Sequence, residues 1–510
     1  MKKMFVLIIA SLIVLTCCST ACAEEITSGL FTYKLKGNGN AVITKFNWSA
    51  NHNRDVYIPR QIDGYNVSEI GPFAFSSEDL GDDFYSGSVG DNVVVVLPDT
   101  ITVIGEKAFY CSRISTLTIP SSVQVIGPGA FAGCSNLSAH NVEAGNPVYT
   151  TISGVLYNKQ KKELVSFPFG QSDVDSRIIP NGIESIGDYA FAGCTILDGD
   201  KGKFFPSSVK TIGKYAYYGA TLESNYHFNF NQITKIDSYA FANSIFQWWN
   251  GDCHLELQGD EITDIGSYAF YNASITFAGV STGALKYEYN TPFPFQKIKN
   301  IGDYAFSCTR LSCNDQAYEI TFPASLSKIG IGAFDSVYAE SYDNLSNLDF
   351  SNTSITIIPE YAFSKAELNI KLPIKTTEIK EYAFYMYFGN NHVTIPHTVE
   401  SIGIYAFAEG TGGTLNAKGS SLETIADYAF YNADTSTSLP NGLRSIGTRS
   451  LWSSTQKTIY IPATVTEIGE EFCDRSKVSL KVEPGSYGAL YASENGYQVI
   501  GQEDTSWLND

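Results

Sequence analysis

The residues best suited to acid–base or metal chemistry are six histidines, His52, His140, His227, His254, His392 and His397, spread over nearly 350 positions. No pair of them forms a His-Glu-x-x-His motif. His392 and His397 only bracket one strand and its proline, where two separate surface rings are the plainer reading. The chain has no Gly-x-Ser-x-Gly elbow and no phosphate loop, and GNGNAV from Gly37 matches a glycine-rich loop only in part. Acidic clusters at Glu78, Asp79, Asp82 and Asp83 and at Asp173 and Asp175 lack the spacing that brings several oxygens onto one calcium ion, and read as solvated insertions. The sequence thus points to no catalytic, metal or cofactor site, and the chain is not expected to be an enzyme.

Aromatic residues offer a different chemistry, that of contact. Tyrosine stands directly before an Ala-Phe pair or its variant at Tyr189, Tyr215, Tyr239, Tyr268, Tyr304, Tyr361, Tyr382, Tyr405 and Tyr428. With the following Phe buried, these tyrosines would form a partly outward stripe, either a platform for protein or glycan or simply a seal along the edge of the fold. FQWWN places Trp248 and Trp249 side by side, and in an extended segment they point to opposite faces, so one is a contact candidate. Cys111, Cys134, Cys194 and Cys308 each follow a Phe by two or three residues, at what reads as one repeat position, and suit a small apolar slot. Cys111 and Cys134 fall in neighbouring copies, which leaves a bridge between them open.

What must hold these residues is a repeat. Ile-(Gly)-x-x-Ala-Phe or a variant of it recurs with its Ile at 70, 104, 126, 186, 212, 236, 265, 301, 329, 358, 379, 402, 425, 446 and 468, fifteen times, and no catalytic motif has reason to recur so often. The gap after Ile126 is long enough to hide one or two divergent copies around GVLYNKQKKELVSFP. Short β-prone runs ending in Pro, such as VVVVLP, STLTIP and KTIYIP, precede many copies, and Pro ends each strand. Each copy reads as a strand, a turn, an extended corner carrying the Ile and a compact turn ending in Ala-Phe. One copy cannot cover its own apolar face, so copies must stack, with Phe above Phe inside. The slot after Ile holds Gly in eleven of fifteen copies but also Pro359, whose φ is fixed near −65°, so glycine there serves close approach rather than positive φ.

The fold class expected is a repeat solenoid, a right-handed coil with a long parallel sheet of short strands and capping segments at both ends. At about 4.8 Å per strand it would be a rod or arc on the order of 70–80 Å long. The start, MKKMFVLIIASLIVLTCCSTACAEE, reads as a secretory signal with cleavage after Ala23, too short in its apolar part to span a bilayer. A lipidated cysteine at Cys17, Cys18 or Cys22 is the rival reading. No later apolar run has membrane length. Loss of Lys2 and Lys3 leaves 32 basic against 53 acidic residues, a net charge of −21, which argues against nucleic acid and anionic lipid as partners.

The phrase IPSSVQVIGPGAFAGC, Ile119 to Cys134, resembles the BspA-type, or Treponema-type, leucine-rich repeat. The resemblance covers about residues 29–500 and extends to FTYK…IPRQIDGYNVSEIG, NPVYTTISGVLYNKQKKELVSFP and PGSYGALYASENGY. It implies a curved solenoid, secreted or on a bacterial cell surface, with a role in adhesion to host matrix protein or other cells and no catalytic activity. Residues 1–23 would be the signal peptide, 24–69 an N-terminal strand cap, 70–470 the leucine-rich repeat solenoid and 471–510 a C-terminal cap and tail. A carbohydrate-binding module and a purely structural spacer remain the alternatives.

Overall fold

The computed structural model describes residues 24–51, 55–77, 92–171, 174–175, 179–198, 205–224, 230, 232–247, 261–277, 290–293, 295–313, 319–339, 347–415, 420–433, 439–453 and 457–500. The signal segment, Trp248, Trp249 and the acidic cluster at 78–83 lie outside them. Packing divides the chain into two compact units, Met1–Lys161 with Val165–Gln171, and Lys162–Leu164 with Ser172–Asp510. Among the described residues no helix is long and apolar enough to cross a membrane.

In the first unit, antiparallel strands Ile26–Ser28, Phe31–Leu35 and Ala41–Phe46 lead into a parallel ladder. Ala41–Phe46 pairs with Tyr65–Ile70, whose Ile70 then lies beside Ile104, and Ile104 beside Ile126. The Ile of each copy is therefore itself a strand residue rather than only a corner. A second ladder is made by the strands before the prolines: Val56–Tyr57, Val93–Val96, Ile114–Ile119 and Asn141–Val142. Between the two ladders runs a file of rings, with Phe46 stacked on Phe75 at 4.9 Å, Phe75 on Phe109 at 5.0 Å and Phe109 on Phe131 at 5.7 Å. Trp48 meets Phe46 edge-on at 4.8 Å at one end of the file, and the His140 ring lies 5.1 Å from Phe131 at the other. Residues 149–158 form a hairpin, and the Tyr149 hydroxyl accepts the Ile126 N–H that the ladder leaves over, at 2.8 Å.

The second unit repeats the scheme more regularly. Leu164 pairs with Ile186, so the long gap holds a divergent copy with Leu in the Ile place; Ile212, Ile236, Ile265, Ile301 and Ile329 follow in register. A separate ladder runs from Ile358 through Ile379, Ile402, Ile425 and Ile446 to Ile468. The seam between Ile329 and Ile358 has a chemical cause. In most copies the residue after Ile donates its N–H to the carbonyl of the preceding copy's Ile, as Lys380 does to Ile358 at 2.9 Å; Pro359 has no N–H to give.

Glycine in that slot answers to crowding. A Cβ at Gly105 would lie 2.8 Å from the Gly71 carbonyl carbon, and one at Gly302 only 2.5 Å from the Ser267 nitrogen. Asp237, Pro359, Lys380 and Ala426 carry a Cβ at the same slot, so the contact is a preference rather than a requirement. The Phe file runs unbroken from Phe191 through Tyr217, Phe241, Phe270, Phe306, Phe334, Phe363, Phe384 and Phe407 to Phe430, with neighbours 4.9–5.7 Å apart. Near the C-terminus, helix Tyr487–Glu494, capped by Ser486, and the turn after it pack Tyr491 and Tyr497 on Phe472. Their hydroxyls donate to the carbonyls of Gly469 and Cys473, both at 2.8 Å.

Phe241 is fully buried between Tyr217 and Phe270. Replacing it with Ala should lower unfolding stability by about 3–5 kcal/mol, the cost of emptying one place in a stack that cannot close over it. Chemical denaturation of the variant checks this, and a loss below about 1 kcal/mol would contradict a rigid file.

Candidate functional site

The tyrosines stand three residues after each repeat Ile, and the backbone there is unusual. In all fifteen copies that residue has positive φ, between 46° and 64°, although only Gly129 and Gly332 are glycines. An L-residue in this region costs about 1–2 kcal/mol. Hydrogen bonds that cross to the next coil offset it. The third, fifth and seventh residues after Ile265 donate forward: Tyr268 to Asp303 at 2.8 Å, Phe270 to Ala305 at 2.8 Å and Asn272 to Ser307 at 2.9 Å. The fourth, sixth and eighth donate back into their own turn, Ala269 to Gly266, Tyr271 to Tyr268 and Ala273 to Phe270. The seventh residue is also left-handed in most copies, at Cys111 and Cys308 among others, whereas Cys134 and Cys194 sit one place further on. The four cysteines therefore occupy two repeat positions, not one. All are free, and Cys134, whose thiol donates to the Phe109 carbonyl at 2.9 Å, has its pKa pushed up to about 12 by burial.

This backbone brings the candidate tyrosines into a single row. Tyr189, Tyr215, Tyr239 and Tyr268 stack at 4.6 Å intervals with planes within 7° of parallel, and Tyr304 continues the row at 5.0 Å. Gly332 then interrupts it, and Tyr361, Tyr382, Tyr405 and Tyr428 resume it at 4.8–5.3 Å. Arg449 and Glu471 take the last two places, joined by a 2.7 Å ion pair. Most of these rings are half-buried, because each covers its neighbour's face; what reaches solvent is ring edges and hydroxyls. Sequence reasoning missed a second rank, three residues further on, where Tyr218, Tyr271, Tyr385 and Tyr431 lie against the row at 5.5–5.7 Å and steep angles. Its signal was present in repeated phrases such as YAFYN. In the first unit the same place holds Phe73, Lys107 and Gly129, and the Lys107 ammonium lies over Phe73 and Tyr110 at 5.6 and 5.1 Å.

The histidines do not assemble with them. His140 is buried, its Nε2 3.1 Å from the Ser166 hydroxyl, and burial lowers its pKa to about 3, so it stays neutral. His392 lies 3.4 Å from the Thr414 hydroxyl and His397 is exposed. Among the described residues no three His, Cys, Asp or Glu side chains converge as a metal site. Trp248 and Trp249 lie beyond strand Ile245–Gln247, outside the described residues.

Burial and then neighbouring phenols raise the pKa of Tyr268 and Tyr405, and burial raises Tyr304, next to Asp335, and Tyr361 as well. These four tyrosines therefore hold protons that the unfolded chain releases from about pH 10 upward, so the stability they contribute is complete below that and falls as pH rises. Phenolate absorbance against pH should show a late-ionising class of tyrosines that joins the ordinary class once the protein is denatured. At Tyr239, Ala and Gly variants lose the same ring, but only Gly relieves the backbone. The glycine variant should be the more stable by about 1 kcal/mol in chemical denaturation, and equality would mean the positive φ carries no strain.

A family model described as a BspA type leucine rich repeat region matches residues 84–170, 162–291, 251–369, 286–412 and 356–478. No curated protein matches the chain. Among solved structures, a leucine rich cell surface protein from Faecalibacterium prausnitzii is similar at 21% identity and a TM-score of 0.40, over 82% of this chain and 97% of that one. A leucine-rich repeat protein from Bacteroides ovatus is similar at 18% identity and 0.34, over 88% and 100%. The leucine rich repeat protein of T. pallidum gives 18% and 0.16, over 61% and 88%. Because the family matches together run from residue 84 to residue 478 of 510, the chain belongs to the BspA-type leucine-rich repeat family.

Proposed function

We propose that this is an exported bacterial repeat protein, secreted or held at the cell surface, that adheres to a protein partner on host matrix or on a neighbouring cell. In this reading residues 1–23 direct export, 24–69 and 471–510 close the two ends of the coil array, and the coils themselves do the binding without catalysis. The observation that carries it is the tyrosine row: ring edges and hydroxyls at regular intervals of about 5 Å on a frame of crossed hydrogen bonds. Tyrosine gives large amphipathic contact area at little cost in side-chain entropy, and here that entropy is already spent in stacking. Many weak contacts along such a row suit an extended partner surface. The acidic balance of 53 Asp and Glu against 34 Lys and Arg keeps nucleic acid out of the reading. Glycan stacking along the whole row is disfavoured, because the faces that a sugar would use are already occupied by rings.

The test is capture of immobilised matrix proteins and bacterial cell-wall material by the mature chain, compared with a triple variant carrying Tyr215→Phe, Tyr239→Phe and Tyr268→Phe. The variant keeps the stacking and loses three hydroxyls. Capture of a protein partner should weaken at least tenfold with an unchanged melting temperature. Capture of nothing by the native chain, or equal capture by both, sinks the adhesion reading.

A further inference from the structure

At Gly332 the stacking of the tyrosine row is interrupted between Tyr304 and Tyr361. Here the row skips a coil, so Tyr304 and Tyr361 stand two coil steps apart, on the order of 10 Å, and the Tyr304 ring reaches into part of the gap. Two further features mark the same junction, although the N–H groups of Gly332, Phe334 and Ser336 still cross it at 2.7–2.9 Å. Pro359 leaves the inner ladder broken between Ile329 and Ile358, and the Phe334–Phe363 step widens to 5.7 Å against 4.9–5.3 Å elsewhere in that file. Tyr304 leans into the vacancy: its plane departs by 18° from Tyr268, where earlier pairs differ by 4–7°, and a Cβ placed on Gly332 would overlap its ring. Tyr361 stacks on Tyr382 at 5.0 Å and 2° on one side only and is 38% exposed. A hollow of about 320 Å³ opens here, lined by Tyr304, Asp335, Tyr361, Ser364, Lys365, Tyr382 and Tyr385. That is the small end of the range of about 300–1,000 Å³ over which proteins hold small ligands.

We propose that this hollow binds one neutral sugar ring, a hexose or N-acetylhexosamine residue, lying on the free face of Tyr361 with its hydroxyls on Asp335 and Lys365. The polar groups decide for a sugar over an aromatic side chain. Asp335 takes only two long hydrogen bonds through Oδ2, from Ser307 at 3.4 Å and Ser336 at 3.3 Å, and its Oδ1 has no donor among the described residues. Lys365 pairs with no carboxylate among the described residues. A phenyl or indole ring pressed into the hollow would strip water from both groups and return nothing, whereas sugar hydroxyls donate to the carboxylate and accept from the ammonium while the C–H face covers the ring. An anionic sugar would meet Asp335 in a chain whose net charge is −19. The site uses ring faces at one seam and not the edge row, so it stands or falls apart from the adhesion reading.

The experiment is saturation-transfer NMR of the mature protein with a panel of methyl glycosides of glucose, galactose, mannose, N-acetylglucosamine and N-acetylgalactosamine. At least one should receive transfer, and Gly332→Tyr should abolish it by completing the row, at a left-handed position that already accepts tyrosine in nine other copies. Asp335→Asn should weaken the same glycoside at least tenfold without melting earlier than the native chain. If Gly332→Tyr folds poorly, Tyr361→Ala serves in its place, removing the face itself. No transfer from any glycoside, undiminished transfer in the filled or truncated variant, or transfer only from a tyrosine- or tryptophan-bearing peptide would each overturn the proposal. Loss of partner capture in the triple Tyr→Phe variant has no bearing on this outcome, since that variant leaves the seam intact.

Discussion

Backbone hydrogen bonds between successive coils set a repeat near 4.8 Å, and the side chains of both units have to live with it. That distance suits flat rings laid face over face. Aromatic pairs left to themselves also choose edge-on arrangements, which need more room along the stacking direction. Inside the coils the ring file obeys the spacing at 4.9–5.7 Å, and outside it the tyrosine row does so at 4.6–5.3 Å. The residue between each Tyr and Phe is nearly always Ala because both neighbours are large rings locked to the same interval. A longer side chain there would push one ring file off the repeat.

The left-handed residue belongs to the same constraint. In a run of ordinary turns successive N–H groups would mostly close on their own coil. The positive φ at the third position lets alternate N–H groups face forward, and three crossings per coil result. At the seventh position, under the same backbone demand, the side chains are mixed: Cys111, Gly193, Asn243, Ser336, Lys365, Met386 and Glu409 all appear. At the third, tyrosine recurs nine times despite its strain. Backbone geometry alone favours glycine at both places, so what keeps tyrosine at one of them is the ring and its stack.

Much of this was legible in the chain. Period gave the recurring Ile, though as a corner rather than a ladder, and the Phe file, and Pro359 in the glycine slot was enough to assign that slot to close packing, which the Gly105 and Gly302 contacts bear out. Leu164 in the Ile place was within reach of the long gap after Ile126. Other features were hidden for physical reasons. Positive φ at Tyr239 leaves no mark on residue type, since the cross-coil bonds rather than glycine stabilise it. The cysteines looked equivalent because distance from Phe was counted without the left-handed turn that separates the seventh place from the eighth. An outward stripe could be inferred from sequence, but not that each ring hides its neighbour's face, because that depends on a spacing set by the sheet.

Insertions bring out how far the frame is insulated from variation. Tyr239 and Tyr268 are 29 residues apart and Tyr268 and Tyr304 are 36 apart, yet their rings stack at 4.6 and 5.0 Å, as closely as Tyr382 and Tyr405, which are only 23 apart. The extra residues therefore leave after the Ala-Phe turn and return before the next Ile without disturbing either ring file. A chain built this way can lengthen its loops and keep its tyrosine row in register, since register is carried by hydrogen bonds local to each pair of coils. Disturbance enters only where a bond of the ladder is itself removed. Pro359 does this, at the same junction where Gly332 interrupts the tyrosine row. The recess itself comes from Gly332, which has no ring to give, while the N–H groups of Gly332, Phe334 and Ser336 still cross to the next coil at 2.7–2.9 Å, so the number and order of coils are unchanged.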